Sequence, residues 1–267
     1  MTVRPPDAGS SLLGTIDSRV SFLSSLEDGP RDKRALVGEL ECSRSTVDRA
    51  IRELETLALV ERVDDAYRLT IVGRLALEEY RRSRDRLEAI AGLGEYLGTV
   101  PQTVPLSPSV LEGATVHEPE PHAPHEPLAH LLERIDDADR FRGFDGTERI
   151  PQIRTRLYER TVEGSLTGEL VLADDLVTFL LERHPDQVRD VLDGGFDFYT
   201  VSSVPYGLVR LDTPSQSETV LVFTSDVGDV VVRNDSDAAC EWGDAVYRRY
   251  RARAQRLEPP EDGVRDR

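Results

Sequence analysis

The sequence predicts a mixed α/β fold in two parts: an N-terminal winged helix-turn-helix and a C-terminal α/β effector domain with a mixed sheet. Three observations predict it. Residues 32–72 carry two short helical patterns around a tight turn, then two short strand patterns around Asp64-Asp65-Ala66. From Leu128 onward, helix and strand patterns alternate, which builds a sheet with helices on its faces. A length of 267 residues accommodates two domains.

The elements follow in order. Residues 1–11 read as a flexible start. Leu12, Ile16, Val20, Leu23 and Leu26 recur at helical spacing until Gly29-Pro30 stops the run. Residues 31–40 make a second helix with Leu36, Val37 and Leu40 inward, and Ser43 is a natural N-cap for a third. There Val47, Ala50, Ile51, Leu54 and Leu57 face the core, and Arg44, Ser45, Asp48, Arg49 and Arg52 face away. Residues 59–63 and 67–70 read as a hairpin. Residues 71–97 continue as a long helix with an apolar stripe from Val72 to Leu93. A proline-rich stretch, 100–127, contains a short strand at 114–118. Helices are expected at 128–138, 149–163, 174–183, 185–192 and 237–257. Strands are expected at 168–172, 196–201, 207–211, 219–224 and 230–233, and DRFRGFDG (139–146) reads as a polar loop. The domain plan is therefore 12–72 winged helix-turn-helix, 73–97 linker and dimerisation helix, 98–257 effector domain and 258–267 charged tail.

Charge is unevenly shared. The chain carries a net −17. Residues 1–97 hold 15 Lys+Arg and 18 Asp+Glu, a net −3, and the remainder holds 18 and 32, a net −14. Lys33 is the only lysine. Surplus acid with almost no lysine resembles proteins of salt-loving archaea. In molar salt the Debye length falls to roughly 3 Å, so an acidic body repels DNA far less. No run of about 18 apolar residues is present, so no membrane span is expected. MTVRPPDAGSS has no apolar signal-peptide core, and the expected location is cytoplasmic. Cys42 and Cys240 have no paired spacing, so neither a zinc site nor a disulfide is indicated.

The helix opening at Arg44 has the chemistry of a DNA-reading helix. Arg44, Ser45 and Thr46 form its first turn, and Arg49 and Arg52 follow on the same face. Arginine reads guanine in a bidentate way, and Ser or Thr reaches phosphate oxygens. Arg62 and Arg68 of the hairpin are positioned to meet the backbone. Asp48 is expected to pair with Arg44 or Arg52 along the helix. The expected partners are double-stranded DNA and a second copy of the chain, with a small-molecule effector for the C-terminal part. The alternative is a winged helix used as a protein-interaction or scaffold module that never meets DNA. A ligand cleft is read from Arg140, Arg142, Tyr206 and Asp212, against the plainer reading of turn chemistry and solvated strand ends. His117, His122, His125 and His130 fall close together, but the intervening prolines keep them off one helix face, and the set is read as incidental rather than as a metal site. No P-loop, G-x-S-x-G or G-x-G-x-x-G is present. No cofactor, metal or catalytic residue is expected, and an enzyme is not.

LECSRSTVDRAIRELETLALVERVDDAYRLTIVGR resembles the winged helix of archaeal transcription regulators. VPYGLVRLD and VVRNDSDAACEWGDAVYRRYRARA resemble the archaeal methanogenesis-regulatory-protein family. The resemblance spans roughly residues 15–257 and implies a winged helix joined to an α/β effector domain. That domain is also similar in outline to the sensor domains of archaeal sugar-responsive regulators, which look like phospholipase-D-type folds. Such phosphodiesterases need H-x-K-x(4)-D, and here the only lysine, Lys33, lies in the winged part with Arg31 two places before it.

Overall fold

The structure, a computed structural model, describes residues 7–98, 100–102, 104–224 and 226–258, with side chains from residue 12 onward. The chain forms two compact units, Met1–Leu87 and Glu88–Arg267. The boundary falls inside the long helix that the sequence marks as a linker.

The smaller unit begins with α1 (Asp7–Ser25), so the helix starts within the stretch expected to be flexible. Next come α2 (Lys33–Glu39), α3 (Arg44–Thr56), β1 (Val60–Val63) and β2 (Ala66–Leu69), and then α4 (Ile71–Gly92), which crosses the boundary. Ile16, Leu23, Leu36, Val47, Ile51, Leu54, Leu59 and Leu77 close one core. Two caps fix the helix-turn-helix. Asp32 accepts from the backbone N–H of Ala35 to start α2, and Ser43 accepts from that of Thr46 to start α3. The hairpin pairs Val60 with Leu69 and Val63 with Ala66. Arg31 adds an isolated antiparallel bridge to β2 by exchanging both backbone bonds with Tyr67, at 2.9 and 2.8 Å. A Cβ on Gly73 would sit 1.9 Å from the Leu59 carbonyl oxygen, so only glycine lets the first turn of α4 lie against the wing.

The larger unit adds α5 (Gly94–Leu97), a 3-10 turn (Pro108–Val110), β3 (Thr115–His117), α6 (Glu126–Asp137), β4 (Arg140–Asp145) and α7 (Pro151–Val162). These are followed by β5 (Thr167–Ala173), α8 (Asp174–Arg183), α9 (Pro185–Asp193), β6 (Phe196–Val201), β7 (Gly207–Asp212), β8 (Ser217–Thr224), β9 (Asp229–Asn234), α10 (Asp237–Arg251) and β10 (Gln255–Arg256). One mixed sheet runs β10-β6-β5-β4-β7-β8-β9-β3. Strands β4, β5 and β6 are parallel, joined through α7 and through α8–α9, and from β7 onward the pairing is antiparallel. Side chains alternate along the strands. Phe141, Leu170, Val209 and Val220 pack under α6–α9. Phe144, Val171, Leu208 and Leu221 pack with Val246, Tyr247 and Tyr250 of α10.

Three expectations are corrected. Residues 140–145 are not a polar loop but β4, the strand where parallel pairing meets antiparallel. Their charges suit it because Arg142 faces α10 and meets carboxylates there, while Phe141 and Phe144 fill the two opposite cores. The closing helix stops at Arg251 rather than continuing to 257. Gln255 and Arg256 instead pair with Thr200 and Tyr199, and Leu257 donates its N–H to Phe198 at 2.9 Å. Likewise the helix from residue 71 breaks at Leu93 before α5. Of its predicted stripe, Leu77 and Leu93 are buried, each in its own unit, while Val72, Leu75 and Leu87 are exposed. Among the described residues, no helix is long and apolar enough to cross a membrane.

Candidate nucleic-acid interface and the polar clefts of the larger unit

On α3 the buried side chains Val47, Ala50, Ile51 and Leu54 turn Arg44, Ser45, Arg49 and Arg52 outward, and Thr46 is half-buried. Among the described residues, Arg44, Arg49 and Arg52 meet no carboxylate within ion-pair distance. Asp48 lies among them, but its partner is not on α3 as expected. Lys33 of α2 reaches its Oδ1 at 2.6 Å, and that bond holds the Asp48 carboxyl below the usual carboxylate range. The only lysine thus pairs with an acid that lies close enough to Arg44 and Arg52 to feel their charge. Ser43 also contacts the Ser45 and Thr46 hydroxyls, at 2.8 and 2.9 Å, so the first turn presents an ordered set of oxygens.

The wing is different. The Arg62 guanidinium donates to the Asp64 carbonyl and to Asp65 Oδ1, at 2.9 and 3.2 Å. Arg68 reaches Glu61 at 2.8 Å across the hairpin. Both arginines are exposed, but each has an acidic partner within the hairpin. Sequence spacing did not reveal these pairings.

The four residues read as a cleft do not share one site. Arg140, Arg142 and Asp212 lie at one end of β4 and β7, where Arg140 is opposite Asp212 in register. Arg142 pairs with Asp212 at 3.0 Å and with Asp244 of α10 at 3.4 Å. The buried Arg210 reaches Asp244 at 3.1 Å and Cys240 Sγ at 3.1 Å, and Ser217 donates to Asp212 at 2.7 Å. Burial acts against the Asp212 charge, but Ser217, Arg142 and Arg210 outweigh it and hold the carboxyl below its ordinary range. Arg140 stays mostly solvated, 3.9 Å from Glu169. Tyr206 lies at the opposite end of β7. It is 4% exposed among Phe144 and Phe223, and among the described residues its hydroxyl has no hydrogen-bond partner. Burial pushes that hydroxyl's pKa far up.

Next to Tyr206 is a cluster that sequence reasoning missed. The Arg149 side chain is 7% exposed; it bonds Asp145 through two nitrogens, at 3.0 and 3.1 Å, and Asp229 at 2.7 Å, and it also donates to Thr224. Burial works against its charge, and the two carboxylates more than offset that. Asp145 and Arg149 are four residues apart, but only the sheet brings Thr224 and Asp229 to them. A shallow cleft there is lined by Asp145, Thr147, Arg149, Pro205, Tyr206 and Thr224.

Of the clustered histidines, His117 on β3 stacks on His130 of α6 with ring centroids 4.0 Å apart. Among the described residues no three metal-ligating side chains converge. Burial, with His130 and Arg233 nearby, lowers the His117 pKa. The folded state therefore favours neutral His117. Its contribution to stability is present above the usual histidine value, about 6.5, and is lost as pH falls through the lowered folded pKa. Expected result: Tm declines more steeply below about pH 6.5 in the native chain than in His117→Phe, followed by thermal melts across pH.

The chain thus joins, in sequence, a winged helix with an outward arginine face to an α/β unit with a mixed eight-stranded sheet. Residues 124–253 match the model for the middle domain of the methanogenesis regulatory protein FilR1, and residues 7–91 match the HVO_A0261 N-terminal domain. The chain therefore carries a segment similar to the FilR1 middle domain behind one similar to the HVO_A0261 N-terminal domain. No curated protein matches it. Among solved structures it is similar to TrmBL2, described as an archaeal chromatin protein with a novel mode of DNA binding, at 12% identity and TM-score 0.44 over 93% of this chain and 99% of that one. It is also similar to NucT from Helicobacter pylori, at 9% identity and TM-score 0.40 over 54% and 98% of the two chains. An O-methyltransferase family protein from Burkholderia thailandensis follows at 10% identity and TM-score 0.26 over 73% and 61%. These likenesses are too distant to bear on function.

Proposed function

We propose that the chain is a DNA-binding transcription regulator, not an enzyme, whose α3 reads an operator while its larger unit senses a signal. The observation that carries this reading is the α3 face: Arg44, Ser45, Arg49 and Arg52 exposed together, with Asp48 neutralised by Lys33. Such a face fits the major groove, where arginine reads guanine and serine binds phosphate. The larger unit's polar groups favour structure over catalysis: Arg142, Arg149 and Arg210 are all held by carboxylates. Homodimer formation is supported by Ile71, Val72 and Leu75, 70%, 56% and 58% exposed in the first turns of α4, because a second copy would cover them. A cytoplasmic location follows from the role. The test is fluorescence anisotropy of the full chain in molar KCl with the promoter of its own gene and with a random duplex. Preference for the promoter is expected. Equal binding, or none, overturns the operator reading in favour of a scaffold module.

A further inference from the structure

Between the sheet and helices α7–α9 of the larger unit lies a cavity of about 130 Å3. Its floor includes Leu170, Val209 and Val222, and its roof Leu157, Leu180 and Val188. Well-packed interiors hold few voids larger than a water molecule. This one is close in size to an engineered apolar cavity of about 150 Å3 that stays dry and takes up benzene. Three of the polar side chains at its rim are already engaged, and His184 and Thr147 complete the polar part of the lining. Arg154 bonds Glu148 and Gln187, Tyr158 donates to Asp190 at 3.0 Å, and Arg149 is held by Asp145 and Asp229. An ionised ligand would lose its water and find both lining arginines already held by carboxylates, a large cost. An uncharged one loses nothing comparable and gains dispersion contact with the walls.

We propose that this cavity is an effector site for an uncharged apolar molecule the size of a single six-membered ring. The inference deepens the sensor reading given above and rests on it. At the mouth, Arg154 and Tyr158 of α7 are tied to Gln187 and Asp190 of α9. A ligand filling the cavity braces the same two helices from within. It shifts DNA affinity only if it binds two arrangements of the protein unequally.

Benzene is the probe, benzoate its charged counterpart, and the full chain in molar KCl the sample. At a free benzene concentration tenfold above its Kd, Tm rises by about 3–6 °C, and benzoate gives no rise. Methyl NMR shifts saturate at Val209, Val222 and Leu180 in the native chain, a readout that needs no variant. Val209→Phe puts a ring into the space and removes the response. No saturable methyl shifts, shifts confined to the winged unit, an equal response to benzoate, or an undiminished response in folded Val209→Phe each overturns the proposal. DNA affinity is measured separately. Benzene uptake without operator preference overturns the regulator reading and leaves the cavity standing; operator preference without benzene uptake does the reverse.

Discussion

Replacing Arg49 and Arg52 together with alanine is expected to weaken operator binding by about 2–6 kcal/mol, at about 1–3 kcal/mol for each arginine reading a base edge. Both side chains are exposed and outside the core, so the fold survives the change. Alanine is also at least as good a helix former as arginine, so α3 itself gains slightly if anything. Anisotropy titrations of native and double-substituted chains, with circular dichroism to confirm equal folding, read the difference. Unchanged affinity in a folded variant removes α3 from the DNA contact. Arg44→Ala alone is expected to have a smaller effect spread evenly over sequences if Arg44 meets phosphate, because phosphate contacts position the protein without reading bases.

Arg149→Leu is expected to destabilise the larger unit by about 3–5 kcal/mol, the cost of leaving buried carboxylates without their counter-charge. Asp229 and Asp145 are 12% and 21% exposed, and among the described residues neither has another arginine on it. The change corresponds to a Tm loss of about 6–20 °C for a unit of this size. Arg149→Lys keeps the charge but not the planar fork that bonds Asp145 twice, and falls between the two. A leucine variant as stable as the native chain shows that the cluster does not support the fold.

The winged unit was legible because its signals are local. Ser43 before an amphipathic run marks the start of α3, and the core and outward faces of that helix follow from 3.6-residue spacing. The partner of Asp48 was not legible. Lys33 lies fifteen residues away, and the folding of α2 onto α3, not helix spacing, brings it there. In the larger unit the helix and strand alternation gave most elements, but β4 was hidden. Arg140, Arg142, Gly143 and Asp145 resemble a turn, and only burial between β5 and β7 makes that segment extended. The tail of α10 shows the same override: RARAQRL continues a helical pattern, yet pairing with β6 converts Gln255 and Arg256 to strand. The Arg149 cluster and the cavity depend on residues from three or more elements each, so spacing along one element carries no trace of them.

The self-paired wing sets how the protein responds to salt. Residues 60–69 hold three acids, Glu61, Asp64 and Asp65, against Arg62 and Arg68. A phosphate that docks on the hairpin must displace a carboxylate from arginine, so the exchange returns few condensed cations to solution. Cations released from the DNA then answer at most to Arg44, Arg49 and Arg52, and log K falls with log salt at a slope no steeper than about −3. A strongly basic wing would bind DNA tightly in dilute buffer and lose it in brine. This one gives up affinity at low ionic strength and loses less of it per decade of salt, about a thousandfold, than a basic wing would.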